Sequence, residues 1–159
     1  MRSVGIDVAS SGISALALVT NGNLVRAEIF KPVKKKDSEV TRLENFYRWI
    51  KRSLYVMKPD VVAVEQIAGY QNRRTIHALA RFEGVALLAA KQSGAIALNP
   101  GIGQAREVVF GNGALSKDAA WEQFRKMYDF KLLAKNSGGT DQVDALTHAL
   151  AALTILERR

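Results

Sequence analysis

The run Val61-Val62-Ala63-Val64 is apolar at every position and stops on a carboxylate, Glu65, and no other stretch constrains the fold as tightly. An unbroken apolar strand suits a sheet covered on both faces, and therefore a strand with parallel neighbours and helices on either side. Its flanks agree. Upstream, Ser38 serves as the N-cap of a helix in which Val40, Leu43, Phe46, Ile50 and Leu54 keep helical spacing, ending near Lys58-Pro59. Downstream, a polar loop from Gly69 to Arg74 precedes a second helix over 75–92, with Ile76, Leu79, Phe82 or Glu83, Ala86 and Ala90 on its inner side and Gly94 closing it. Ala95 to Leu98 then reads as a further strand.

Before this unit, residues 4–8, 13–19 and 24–30 read as strands of an antiparallel meander, the last two joined at Asn21-Gly22-Asn23. After it, Ile102, Ala105 and Val109 suggest a short helix stopped at Gly111. Ser116 is placed to cap a helix running to about Tyr128. Thr140 is placed to cap a last helix with Val143, Leu146, Leu150 and Leu153 on one stripe. The expected fold is therefore α/β: a mixed five-stranded sheet, antiparallel meander plus parallel strands, with helices on both faces. At 159 residues the chain suits a single domain, 1–159, with one site.

Charge narrows the partners. Twenty-three Lys and Arg face 15 Asp and Glu, a formal net charge of +8, which attracts polyanions and makes nucleic acid the first partner to consider. The absence of cysteine excludes disulfides, thiolate metal sites and cysteine nucleophiles, so any metal must sit on oxygen or imidazole. Asp7 interrupts the apolar start too early for a secretory segment, and no stretch reaches the roughly 18 apolar residues of a membrane span. A cytoplasmic protein with no membrane partner is expected.

The carboxylates carry the chemistry. Asp7 lies inside the apolar strand VGIDV, where an unpaired buried carboxylate is costly, unless it points to solvent from an edge strand. Glu65 ends the most apolar strand, beside the crevice where parallel α/β sheets place ligands. Asp141 and Asp144, three residues apart, project from nearly one face of the last helix, a face distinct from its apolar stripe. Asp141 also suits a first helical turn electrostatically, whatever its function; Asp144 has no such explanation. His148, four residues on, is expected either at the surface or beside the ligands rather than among them. If that helix crosses the sheet near the strand ends, the four carboxylates form an all-oxygen cage suited to Mg²⁺ or Mn²⁺, with two ions roughly 3.5–4 Å apart acting on a phosphodiester.

Four segments taken together resemble the RuvC family of Holliday-junction resolvases, a branch of the ribonuclease H-like nucleases, over nearly the whole chain. They are Gly5-Ile6-Asp7; Val64-Glu65-Gln66; Arg106 with Gly111-Asn112-Gly113 and Lys117; and Asp141-Gln142-Val143-Asp144-Ala145-Leu146. The resemblance implies a ribonuclease H-like fold and a homodimer that grips a four-way DNA junction and nicks two strands, leaving 5′-phosphate and 3′-hydroxyl ends. It further implies Asp7, Glu65, Asp141 and Asp144 as ligands of two Mg²⁺ ions, with Mn²⁺ as a substitute, and Lys117 as an auxiliary residue near the scissile phosphate. A Gly-x-Gly turn would let backbone approach phosphate, and a Lys just after a cap sits at an electropositive helix start.

The chain departs from the family pattern at two places. Ala68 stands in Ile67-Ala68-Gly69-Tyr70 where an aromatic wedge is expected, so that Tyr70 either stacks on unpaired bases or is a simple loop tyrosine. Val8-Ala9-Ser10 replaces the usual Pro-Gly. Asn72, Arg73, Arg74, Arg81 and Arg106 are candidate DNA contacts with Tyr70 and Lys117, while Lys34, Lys35 and Lys36 fit either a DNA-facing run or a solvated one. Three other readings stay open: a nuclease for flaps and forks, a non-catalytic junction-binding module, and a kinase-like ATP-binding domain suggested by Gly5-Ile6-Asp7-Val8-Ala9-Ser10-Ser11-Gly12.

Overall fold

A computed structural model describes residues 1–10, 12–31, 37–67, 72–128 and 138–158. Five strands, β1 (Arg2–Asp7), β2 (Ser14–Thr20), β3 (Asn23–Phe30), β4 (Val61–Val64) and β5 (Ile96–Leu98), form one sheet in the order β3-β2-β1-β4-β5. The first three are antiparallel neighbours, and β1-β4 and β4-β5 are parallel. This is the mixed five-stranded sheet that the sequence predicts. The β2-β3 hairpin turns on Asn21 and Gly22, both at positive φ, the conformation that matches the twist of a two-residue hairpin.

Alternation along the strands divides the sheet between two helical layers. Val4 and Ile6 of β1, Leu16 and Leu18 of β2 and Val62 and Val64 of β4 face α1 (Glu39–Met57) and α2 (Arg73–Gln92). On that side Phe30, Phe46, Trp49 and Phe82 make an aromatic cluster with ring centroids 5.2–5.8 Å apart. The opposite face carries small residues: Gly5, Ala15, Ala17 and Ala63. Against it lies α5 (Gly139–Glu157), flanked by α3 (Ile102–Phe110) and α4 (Lys117–Met127).

Gly5 sets how close α5 comes. A Cβ there would overlap the carbonyl oxygen of Ala145 and the amide nitrogen of Ala149, so the helix backbone rests directly on the strand. Two residues earlier, Ser3 Oγ donates to the Ala149 carbonyl at 2.7 Å and fixes the helix along the strand.

Three expectations at helix ends and faces are corrected. The last helix is capped not by Thr140 but by Gly138, whose φ of 103° favours glycine and whose carbonyl accepts from Gln142 N at 3.0 Å. The second long helix starts at Arg73, because Asn72 Oδ1 accepts from Arg74 N and caps it two residues early. The apolar stripe on α5 is not its only buried side. With the sheet beneath and α3 and α4 alongside, Gln142, Asp144, Thr147 and His148 are buried as well. Among the described residues, no helix is long and apolar enough to cross a membrane.

Gly5→Ala is expected to destabilise the protein by roughly 3 kcal/mol or more in urea unfolding, since the obstruction is backbone and cannot rotate away. Gly84→Ala, in α2 with open space around it, should instead stabilise by about 0.5–1 kcal/mol. Equal effects at the two glycines would refute the close approach.

Candidate active site

The parallel register that pairs Ile6 with Val64 sets Asp7 beside Glu65 at the carboxyl ends of β1 and β4. Glu65 N donates to the Ile6 carbonyl at 3.0 Å, and Asn99 Nδ2 donates to the Val64 carbonyl at 3.0 Å, so the strand end under Glu65 is held from both sides. By alternation Asp7 shares the face of Ser3 and Gly5, the face on which α5 lies. The glycine that lets α5 down onto β1 therefore also brings Asp144, one residue before Ala145, to Asp7.

Lys117, the first residue of α4, completes the cluster. Its Nζ lies 2.9 Å from Asp141 Oδ1, 2.8 Å from Asp144 Oδ2 and 3.9 Å from Asp7 Oδ2. The connector before it is tied to its own chain: Gly111 closes α3 at φ 69°, Gly113 N donates to Glu107 Oε2 at 2.7 Å, and the Gly113 backbone packs on that of Gly103. In this structure the Gly-x-Gly turn thus serves a close approach within the protein and delivers Ser116, the cap, and Lys117 to the carboxylates. Arg106 also turns inward. Its guanidinium donates to Asp144 Oδ1 at 2.9 Å and to the Leu115 carbonyl at 2.7 Å, bracing Asp144 between α3 and α5.

Burial pushes the Asp7 carboxyl well above its ordinary range, and a hydrogen bond with Glu65 and the charges of Glu65 and Asp144 push it further. Glu65 is raised too, first by burial. Burial opposes the charge on Lys117, but Asp7 and Asp144 outweigh it and hold the ammonium above its usual value. His148 is fully buried, not at the surface, and neither ring nitrogen has a hydrogen-bond partner. Burial brings it down to about 4, with Asp144 pulling the other way, so the imidazole is neutral near pH 7.

Among the described residues no three acidic or imidazole side chains meet as a finished metal cage; Lys117 stands among them instead. The donor set nevertheless fits a divalent cation. Four carboxyl groups share the space with two fixed cations, Lys117 and Arg106, and burial together with the crowding of acids raises the carboxyls of Asp7 and Glu65. Oxygen-only donors of this charge suit Mg²⁺ or Mn²⁺.

The remaining predicted contacts are spread around this centre. Arg73 and Arg74 are exposed at the start of α2. Asn72 is engaged as that helix's cap, and Arg81 pairs with Glu39 of α1. Tyr70, Ala68 and Lys34 to Lys36 lie outside the described residues. The inward brace of Arg106 and the Asn99 bond to β4 escape sequence reading. Only the small-residue alternation around Gly5 hints at how close α5 comes.

The family model of the crossover junction endodeoxyribonuclease RuvC matches residues 1–152. RuvC of Syntrophomonas wolfei is 31% identical over 112 residues, 70% of this chain and 63% of that protein, so the chain spans somewhat under two thirds of that relative's length. RuvC of Geotalea uraniireducens is 27% identical over 153 residues, covering 94% of this chain and 88% of the relative. The fold is that of the Thermus thermophilus RuvC structure solved in complex with a Holliday junction substrate, with TM-score 0.82, 20% identity, and 99% and 96% of the two chains covered.

The raised Asp7 carboxyl makes a signed prediction. A carboxyl raised on folding binds its proton more tightly in the folded state, so its contribution is full below the ordinary aspartate range and is lost as pH rises through the raised value. Metal-free protein should lose stability over that rise. Asp7→Asn should flatten the loss and melt at least about 2 °C higher at pH 7. A lower melting point for the variant in metal-free buffer would contradict the electrostatic reading.

Proposed function

Since this chain belongs to the RuvC family of crossover junction endodeoxyribonucleases, we propose that it resolves four-way DNA junctions by divalent-metal-dependent hydrolysis, as a homodimer that nicks two strands. The observation that carries this reading is the gathering of Asp7, Asp141 and Asp144 around one ammonium, with Glu65 beside Asp7 at the carboxyl ends of two parallel strands. The net charge of +8 around this acidic centre supports a polyanionic substrate.

In the proposed reaction Asp7, Glu65, Asp141 and Asp144 would hold two Mg²⁺ ions, with Mn²⁺ as a substitute. When bound, such cations supply Lewis acidity at the phosphate and ease the ionisation of water. A bound cation would offset the burial that raises the Asp7 and Glu65 carboxyls and so favour their ionised forms. Lys117, no longer needed to neutralise Asp141 and Asp144, turns its ammonium to the scissile phosphate and stabilises the charge that builds there. Water adds to phosphorus and the 3′ oxygen departs with a proton, leaving a 5′-phosphate and a 3′-hydroxyl. Arg106 keeps Asp144 in place throughout. His148, buried and neutral, adds no charge to the centre.

One observation favours a second reading, a broader nuclease for flaps and forks. Ala68 occupies the place of the family's aromatic wedge, and Val8-Ala9-Ser10 replaces Pro-Gly, both in segments close in sequence to the carboxylates. Comparing a mobile four-way junction, a flap and a linear duplex with one preparation separates the two readings.

Labelled four-way junction incubated with the protein and Mg²⁺ should receive symmetric nicks. Asp7→Asn should bind the junction without cutting it, and Lys117→Ala should lower the rate by about 10²-fold or more. Cutting that persists in a clean Asp7→Asn preparation would remove Asp7 from the metal site.

A further inference from the structure

A second basic site lies on the other side of the sheet from α5. The first turns of α1 and α2 come together there around a cavity of about 550 Å³ lined by Glu39, Arg42, Arg74, His77, Ala78 and Arg81. Three guanidiniums thus share it with a single carboxylate. Both helices start with side-chain caps, Ser38 accepting from Thr41 N and Asn72 from Arg74 N, and Glu39, Arg42 and Arg74 of the lining lie in their first turns.

The hydrogen bonding inside the cavity is unfinished. Glu39 Oε2 pairs with Arg81, while Glu39 Oε1 is buried without a partner. Arg42 Nη1 donates to the Ser10 carbonyl at 3.0 Å, while Arg42 Nε is buried without a partner. Leaving a buried donor and a buried carboxylate oxygen unsatisfied is unfavourable, and a carboxylate among three guanidiniums occupies the kind of place an anion would take. The cavity is also tied to the active-site end of the sheet. Ser10, which Arg42 holds, follows Asp7 by three residues, and α2 begins eight residues after Glu65.

We propose that this cavity is a second phosphate site, in which Arg42, Arg74, His77 and Arg81 receive a backbone phosphate of the branched DNA and Glu39 is the internal anion that the phosphate displaces. The inference rests on the junction-binding reading above and adds to it Arg42, His77 and Glu39. A phosphodiester supplies the acceptor that Arg42 Nε lacks, and its single negative charge takes the place of Glu39's among the three guanidiniums. Displacing Glu39 into solvent frees Arg81 for the same phosphate. Glu39 therefore acts against binding, the opposite of the arginines around it.

The opposed signs give the test. Binding of a fluorescent four-way junction is measured by anisotropy over a range of KCl, with Ca²⁺ replacing Mg²⁺, for the parent, Glu39→Gln and Arg42→Gln. Glu39→Gln should tighten binding about 3-fold or more. Arg42→Gln should weaken it about 5-fold or more and reduce the slope of log K against log salt by about 0.9, one phosphate contact. Should Arg42→Gln fail to fold for want of its Ser10 bond, Glu39→Gln, at a half-buried side chain, decides the matter alone. Unchanged or weaker binding by Glu39→Gln overturns the inference, as does a parental salt slope in folded Arg42→Gln. A parent that neither binds nor nicks the junction would count against the proposed function itself, whereas a parent that nicks normally beside unaltered variants would overturn the second site alone.

Discussion

The contact of α5 with β1 at Gly5 is the constraint on which the rest depends. The sheet needs small residues on this face because a helix backbone, not merely its side chains, must come down on the strand. Gly5, Ala15, Ala17 and Ala63 provide that flatness, and Ser3 holds the helix in register along it. Asp7 belongs to the strand and Asp144 to the helix, so the same approach that completes the core also forces two carboxylates together. Packing and chemistry cannot be separated at this position: any side chain at residue 5 lifts the helix and its aspartates from the strand.

Bringing acids together in a buried place is unfavourable, and the molecule offsets it in three ways. Lys117 sits among the carboxylates, Arg106 braces Asp144, and Asp7 and Glu65 hold protons more tightly than isolated carboxyls do. None of these fully balances four acidic groups. With four carboxyl groups to two fixed cations, the centre is suited to an added divalent cation, whose two charges would balance it when all four are ionised. Lys117 is the counter-ion of the carboxylates in the free protein, and the proposed reaction gives it a second place as phosphate ligand.

Much of this was legible in the sequence. The apolar run 61–64 announced a covered central strand, the hairpin at Asn21-Gly22 announced the meander, and Asp7 and Glu65 were conspicuous because they interrupt or end apolar strands. What escaped was set by tertiary packing. The burial of His148 and Asp144 follows from α3 and α4 closing over α5, which no periodicity within α5 can reveal. Arg106 reads as a DNA contact until the Leu115 carbonyl and Asp144 are seen to claim its guanidinium. Thr140 is a sound cap by residue type, yet Gly138 wins because the chain enters the helix through a left-handed turn. The cavity between α1 and α2 joins residues that lie more than thirty positions apart in the chain, beyond the reach of any local pattern.

Anomalous scattering from Mn²⁺ in crystals of the protein reports both where the cation sits and where Lys117 goes. Mn²⁺ density is expected between Asp7, Glu65, Asp141 and Asp144, with the Lys117 ammonium moved away from Asp141 and Asp144. Mn²⁺ bound elsewhere, with Lys117 still seated among the carboxylates, would contradict this arrangement.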